Sequence, residues 1–444
     1  MRCISLTAFV VVILGLNTLS LAAAPKVVKA SPDNGQKDVN PATGELRIVF
    51  DQPMSPGGRS LVNSSRGIFP ELVERPRWEN DKTFVWKMKL EPNTDYWLSI
   101  NSTRFTNFRS KAGESAEPYV IAFSTGAGAN PKSASPEVIK ANREAITRLK
   151  KAILEDYSYV DLRKVDWEKQ FAELAPRLES AAGPAEFANT AGKMLAVAQD
   201  VHLAMRAGER RIVTWKRDVF PAMNFELMKS IPMWTKRHNF VYSGMFSNGT
   251  RYLCITSLPG GDDAAFLLAI YEVIGDAAQA NMGLIMDLRP NGGGDEITAR
   301  KIAGCFLDKP AVYAAHVMRS GGKFSEQSTR TVAPNPAGPK FRGKVIVLTG
   351  PGTVSSCEAL VLMMKQVPGC IVVGQKTAGS SGNPKIFDLG NGTSVSVPSW
   401  KAMRPDGTVF EGEGIAPDVE VQAKPADFER EDPILAEGQK RAAG

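Results

Sequence analysis

In the first quarter of the chain, apolar positions come in short runs that alternate with a period of two. Glu45 to Phe50, Thr83 to Leu90, Tyr96 to Ile100 and Tyr119 to Phe123 are such runs, separated by turn residues. Phe84, Trp86, Met88 and Leu90 would share one buried face of a strand. The pattern predicts a β-sandwich over residues 25–126. Residues 127–135 are rich in Gly, Asn, Pro and Ser with no periodicity, and read as a linker. Beyond them the spacing turns helical. Ile139, Ile146, Leu149 and Ile153 recur at seven, three and four, and Phe171, Leu174 and Leu178 repeat that spacing. A third helix, opened by Gly183-Pro184, carries Phe187, Ala191, Leu195, Ala198 and His202 along one face. Residues 136–208 are thus expected as a helical layer. From residue 209 compact apolar strands alternate with helices: Tyr252 to Ile255, a helix from Asp263 to Ala280, Leu284 to Leu288, Val345 to Leu348, a helix from Ser355 to Gln366, and Ile371 to Val373. Continuous apolar strands covered by helices predict an α/β core over residues 209–424, followed by a C-terminal segment, 425–444.

The start of the chain departs from both periods. Met1-Arg2 precede an apolar run from Ile4 to Leu16 and small residues ending at Ala22-Ala23-Ala24, the layout of a secretory signal. Ser20 and Ala22 favour cleavage after Ala22, and residues 1–22 are expected to be removed; an uncleaved anchor is the alternative. No later stretch approaches the roughly 20 apolar residues of a membrane span. The mature protein is therefore expected in the periplasm or outside the cell. The formal net charge of +7 is scattered among acidic residues without a Lys/Arg run, which gives no footprint for nucleic acid. Outside the signal, Cys254, Cys305, Cys357 and Cys370 lie in apolar surroundings without metal-type spacing, and are expected as buried thiols, although export permits a disulfide. No cofactor is indicated.

Two Gly-rich turns are the places where chemistry would sit. In GLIMDLRPNGGGDE, Gly283 to Glu296, a buried strand runs into three glycines and a helix. Such a loop presents N–H groups to an anion, or is only a strand-to-helix turn; it lacks the Lys-Ser/Thr ending of a phosphate loop. In KVIVLTGPGTVSSCEALVLMM, Lys344 to Met364, a strand and a Gly-rich turn deliver Ser355 and Ser356 to the start of a helix. A serine there is exposed above the sheet, with the following N–H groups aimed at any oxyanion. Ser355-x-x-Glu358 is equally an ordinary capping box.

Taken together the motifs resemble a known superfamily. DLRPNGGG, GTVSSCEA, VGQKTAG and GEGIAPDVEV occur in the order seen in tail-specific (C-terminal processing) and tricorn-core serine peptidases. Tyr157-Ser158-Tyr159, Val165-Asp166-Trp167 and MLAVAQDVH are similar to that family's amino-terminal helices. SPDNGQKDVNPATGELRIVFDQPMSP, LEPNTDYWLSI and AFSTG resemble the bacterial Ig-like domain. The first likeness implies a crotonase-like peptidase core acting on a polypeptide substrate, and the second a module for spacing or for contact with a cell surface or protein. About 40 residues, Ile212 to Arg251, separate the helical layer from the core, too few for the PDZ domain of the processing branch.

The resemblance also implies roles. Ser355 takes the nucleophile's place. Ser380 stands where the processing branch has its lysine, after Thr377-Ala378-Gly379, with Lys376 and Lys385 nearby but out of register. Asp200-Val201-His202 instead matches the DGH or DPH motif of the tricorn-like branch, which implies His202 as base, in keeping with an imidazole's ability to titrate near neutrality. Glu411 or Glu413 would orient it, Glu411 by its position three residues before Gly414. The N–H of Ser356 and that of Gly293 or Gly292 would form the oxyanion hole. Two other readings remain at this stage: a non-catalytic protein binding peptides or hydrophobic ligands in the same groove, and an attachment protein in which residues 25–126 do the work.

Overall fold

The computed structural model describes residues 23–63, 68–102, 105–126, 134–215, 217, 219–220, 222–261 and 263–443. The expected signal, 1–22, and residues 127–133 of the expected linker lie outside these. The chain divides into two units, Met1–Pro131 and Lys132–Gly444.

The first unit is a two-sheet β fold. In one sheet the order is Val27–Ser31, Glu45–Phe50, Thr83–Lys89 and Glu71–Leu72, with Arg77–Trp78 also on Thr83–Lys89; the other runs Leu61–Val62, Asp95–Ile100, Tyr119–Ser124. All of these pairings are antiparallel. Leu46, Ile48 and Phe50 face Phe84, Trp86, Met88, Leu98 and Ile121 in one core. The expected alternation is present, but Thr83 and Val85 are buried as well, so the first half of that strand is covered on both faces.

The second unit has two layers. Helices Pro136–Lys151, Trp167–Glu179 and Pro184–Leu195 pack their apolar stripes on a four-stranded sheet ordered Arg210–Val213, Ala204–Ala207, Thr393–Pro398, Pro384–Asp388. Ser135 caps the first helix, accepting the Val138 N–H at 3.3 Å. The third helix stops earlier than its pattern suggests. A 3-10 turn, Ala196–Ala198, ends on Gln199 in the left-handed region, so His202 lies in the turn before strand Ala204–Ala207 and not on the helix face.

The larger sheet is ordered Thr235–His238, Val241–Met245, Arg251–Ile255, Leu284–Asp287, Val345–Thr349, Ile371–Gly374, Val419–Glu420, and its last five strands are parallel. Alternate residues of each strand go to opposite faces. Leu253, Met286 and Val347 meet helices Ala264–Gln279, Glu296–Ala303 and Ser356–Met364. Tyr252, Ile285, Ile346 and Leu348 meet Met223, Met228 and the C-terminal helix Pro433–Ala443 through Ile434 and Leu435. The C-terminal segment therefore forms part of the cover of the back face. Its cap residue, Asp432, bonds the fully buried Arg289 at 2.8 Å, and Arg289 also bonds Asp287 at 2.6 Å. The Arg289 guanidinium consequently keeps its charge, since burial opposes it but two carboxylates hold its pKa above the usual arginine value. Cys254, Cys305 and Cys357 are buried and Cys370 half-buried, all as free thiols. Among the described residues no helix is long and apolar enough to cross a membrane.

Candidate active site

Three neighbouring parallel strands, Leu284–Asp287, Val345–Thr349 and Ile371–Gly374, end on the same edge, and the loop after each contributes to one site. Carboxyl ends of parallel strands are where α/β sheets place their ligands. The loop after the first strand is bonded to the loop after the second: Val354 N–H donates to Asn291 O at 3.0 Å and Thr353 Oγ1 to Leu288 O at 2.9 Å. At Gly293, φ 89°, a Cβ would come within 2.8 Å of Ser355 Cβ and 2.6 Å of Val354 O; only glycine allows this approach.

Ser355 has φ 58° and ψ −127°, a conformation rarely open to any residue but glycine. Its N–H is held by Ser380 O at 2.9 Å and Glu358 Oε2 at 3.0 Å. The Glu358 half of the capping box is therefore made, whereas the Glu358 N–H goes to the Ser355 carbonyl at 2.8 Å. The hydroxyl turns instead to His202: Oγ lies 3.2 Å from Nε2. The Ser355 oxygen is thus presented to an imidazole at a backbone cost of about 1–3 kcal/mol.

The other ring nitrogen, Nδ1, is 3.3 Å from Ser380 Oγ and 3.7 Å from Asp200 Oδ1. Asp200 also accepts the His202 N–H at 2.9 Å and the Tyr157 hydroxyl at 2.9 Å, with Arg163 at 4.0 Å. Burial works against its charge, but these bonds from His202 and the Arg163 guanidinium hold its pKa below the usual aspartate value. An ionised carboxylate only accepts, which favours the proton on Nδ1 and leaves Nε2 free to accept from Ser355.

Glu411 is buried but addresses other groups. It pairs with Arg163 and accepts the Ser381 N–H at 2.9 Å, with burial and the Asp200 charge raising its pKa well above the carboxylate range. It stands behind Asp200, sharing Arg163 with it, whereas Asp200 and Ser380 face the ring. Glu413 is 70% exposed beside Arg404, away from this cluster. Lys376 and Lys385 are exposed. His238 lies 3.5 Å from Asp263, and His316 packs against Trp400 with the ring planes tilted by 54°. Of the expected oxyanion donors, Ser356 N–H begins a helix and has no protein acceptor among the described residues. Gly292 is exposed with an open approach. The Gly293 N–H already donates to Asn291 Oδ1 at 2.8 Å, so an oxyanion would compete with Asn291 for it.

Residues 251–421 match the model of peptidase family S41, and residues 22–125 that of a bacterial Ig-like domain. The chain carries a family S41 peptidase domain. A CtpA-like serine protease of Staphylococcus epidermidis is 31% identical over 138 residues, which make up 31% of this chain and 27% of its own length. Carboxyl-terminal-processing peptidase 2 of Arabidopsis thaliana chloroplasts is 25% identical over 222 residues, 49% of this chain and 39% of that one. The chain thus spans well under half of these curated relatives. Among solved structures, a Parabacteroides merdae chain named for a peptidase superposes with a TM-score of 0.58 at 21% identity, covering 68% of this chain and 97% of its own. At that identity the likeness speaks for the fold alone. The S41 match includes the Gly-rich loop, Ser355, Ser380 and Glu411; it begins after Asp200 and His202, which the helical layer supplies. The site also contains groups that the motifs hide. Arg163 and Tyr157 secure Asp200 from the helical layer, and Glu358 is concealed inside an ordinary capping signal.

Proposed function

We propose that the chain is an exported serine endopeptidase that acylates on Ser355. Oγ attacks the carbonyl carbon of a peptide bond as its proton passes to His202 Nε2, and a C–O bond forms. The resulting oxyanion takes the Ser356 N–H and an N–H of the Gly292–Gly293 loop. Collapse breaks the C–N bond while Nε2 returns the proton to the leaving amine. A water then repeats the sequence and frees the acid. Asp200 and Ser380 steady the ring through Nδ1, with Glu411 and Arg163 one step behind. Unfolded or tail-like polypeptide is the substrate class, consistent with the processing proteases named among the relatives, and the Ig-like domain serves for spacing or attachment outside the cell.

The observation that carries this reading is the 3.2 Å approach of Nε2 to an Oγ held on a strained turn. Labelling with a serine-directed phosphonate, read by peptide mapping, tests it. The label is expected on Ser355, and Ser355→Ala is expected to abolish both labelling and peptidase activity, on the order of a million-fold in kcat. Its melting temperature should stay within a few degrees. A variant that melts lower but still cleaves would leave Ser355 as a cap and overturn the assignment.

A further inference from the structure

An N-terminal helix cap needs one bond from Glu358, and Glu358 makes four. Oε2 accepts the N–H of Ser355 at 3.0 Å and of Ser380 at 2.9 Å; Oε1 accepts the Thr377 hydroxyl at 2.6 Å and the Gly379 N–H at 2.7 Å. Three of these four donors belong to a different loop, the one that follows strand Ile371–Gly374. The side chain is fully buried. One carboxylate oxygen therefore fixes, at the same time, the backbone of the residue whose Oγ meets His202 Nε2 and of the residue whose Oγ meets His202 Nδ1.

We propose that Glu358 is a positioning residue whose carboxylate locks Ser355 and Ser380 into register on the two sides of the His202 ring. The proposal rests on the reading of Ser355 and His202 as the reacting pair. All four partners are donors, so the site is built for an acceptor without a proton of its own. A protonated or amide group in that place would turn a donor toward N–H groups that cannot rotate away, and would push the Ser355 turn from the ring. Displacement of about 1 Å is enough to cost on the order of 100-fold in rate.

The arrangement has a pH signature. Burial raises the Glu358 pKa to about 6, against the pull of its four bonds. The other titratable groups that sense its charge are Tyr159 from the helical layer, Cys357 beside it and Glu411 across the loop. Burial keeps the first two neutral, and it raises Glu411 as well. Because the folded value lies above the ordinary one, stability from this group is present at low pH and is lost as pH rises through about 6. Positioning runs the other way, since only the ionised form accepts all four bonds.

The experiment compares wild type with Glu358→Gln, and with Thr377→Val as a milder variant, in peptide hydrolysis and in phosphonate inactivation from pH 5 to 8, on samples checked by thermal melting. Expected is a fall of roughly 100-fold in kcat and in inactivation rate for Glu358→Gln, with KM within about threefold. The acid limb of the wild-type profile should be steeper than one ionisation allows, and should lose its component near pH 6 in the variant. A folded Glu358→Gln that labels at the wild-type rate with an unchanged acid limb would reduce Glu358 to a cap. If Glu358→Gln does not fold, Thr377→Val decides. A drop of about tenfold in labelling supports the lock, and an unchanged rate and limb overturn it. Failure of the underlying reading looks different, because wild type itself would then not label at Ser355.

Discussion

Asn101 and Ser355 have nearly the same φ, 54° and 58°, yet the two units use the conformation for opposite ends. Asn101, in the Ig-like unit, is buried and spends its whole side chain on structure. Nδ2 donates to Phe108 O at 3.0 Å and Ala116 O at 2.9 Å, and Oδ1 accepts the Phe108 N–H at 3.0 Å. Asn also tolerates positive φ better than most residues. Ser355 has neither advantage: it pays the strain and aims its oxygen at an imidazole. The same division runs through the buried polar groups. Among the described residues those of the first unit are Ser, Thr and Asn alone, whereas the second unit buries Asp200, Asp287, Arg289, Arg330, Glu358, Glu411 and Asp432. Burying ionisable groups is costly unless they are paired and bonded, so a unit that keeps several around one imidazole has a use for them.

The largest expected effect is on the imidazole. His202→Ala removes the only histidine near Ser355 and should lower kcat by at least about 10^4, since an unassisted serine hydroxyl is a poor nucleophile. Glu411→Gln should cost far less, because Arg163 and the Ser381 N–H, not the ring, hold that carboxyl. Both are read from steady-state hydrolysis. If Glu411→Gln fell as far as His202→Ala, Asp200 would not be the group that steadies the ring.

Next comes the paired test of strain. Ser355→Gly relaxes the φ 58°, ψ −127° turn and should raise stability over Ser355→Ala by about 1–3 kcal/mol, with activity lost in both. Asn101→Gly keeps the conformation easy but strands two buried backbone groups, the Phe108 N–H and the Ala116 carbonyl, and should destabilise the Ig-like unit by about 2 kcal/mol, with hydrolysis unchanged. Denaturant titration of the three variants gives the signs. Equal signs for the two glycine substitutions would remove the contrast between the units.

Much of this was legible from the chain. Strands Glu45–Phe50 and Val345–Thr349 and helix Ala264–Gln279 announce themselves because period and composition agree. Ser355 was legible because a strand, a Gly-rich turn and a helix start coincide there. His202 is singled out by its motif, but it does not lie on the helix face that the spacing predicts: nothing in Ala196-Val197-Ala198-Gln199 signals that a helix ends, since the left-handed position is filled by Gln199 and not by glycine. The partners of the ring were hidden for a different reason. Glu358 looks like a cap because it is one, and its three further bonds come from residues about 20 positions away that only the sheet brings near. The cover supplied by Pro433–Ala443 depends likewise on a non-local contact, through Asp432 and Arg289.

The smallest expected effect separates two chemistries. In the processing branch of the superfamily that this chain resembles, a lysine stands where Ser380 does here, and the two lysines nearest that slot in sequence, Lys376 and Lys385, are exposed. Ser380 Oγ lies 3.3 Å from His202 Nδ1, so the slot carries a ring contact instead of a base. Lys376→Ala and Lys385→Ala should therefore leave kcat/KM within about twofold and stability within about 0.5 kcal/mol, as for ordinary surface positions. Ser380→Lys should not rescue His202→Ala, because Glu358 holds the loop around residue 380 by the N–H groups of Gly379 and Ser380, with the residue 380 side chain on the Nδ1 side of the ring and not on the Ser355 side. Loss of hydrolysis in either lysine variant, with retention in His202→Ala, would replace the imidazole by an amine as the base and would make the 3.2 Å contact between His202 and Ser355 incidental.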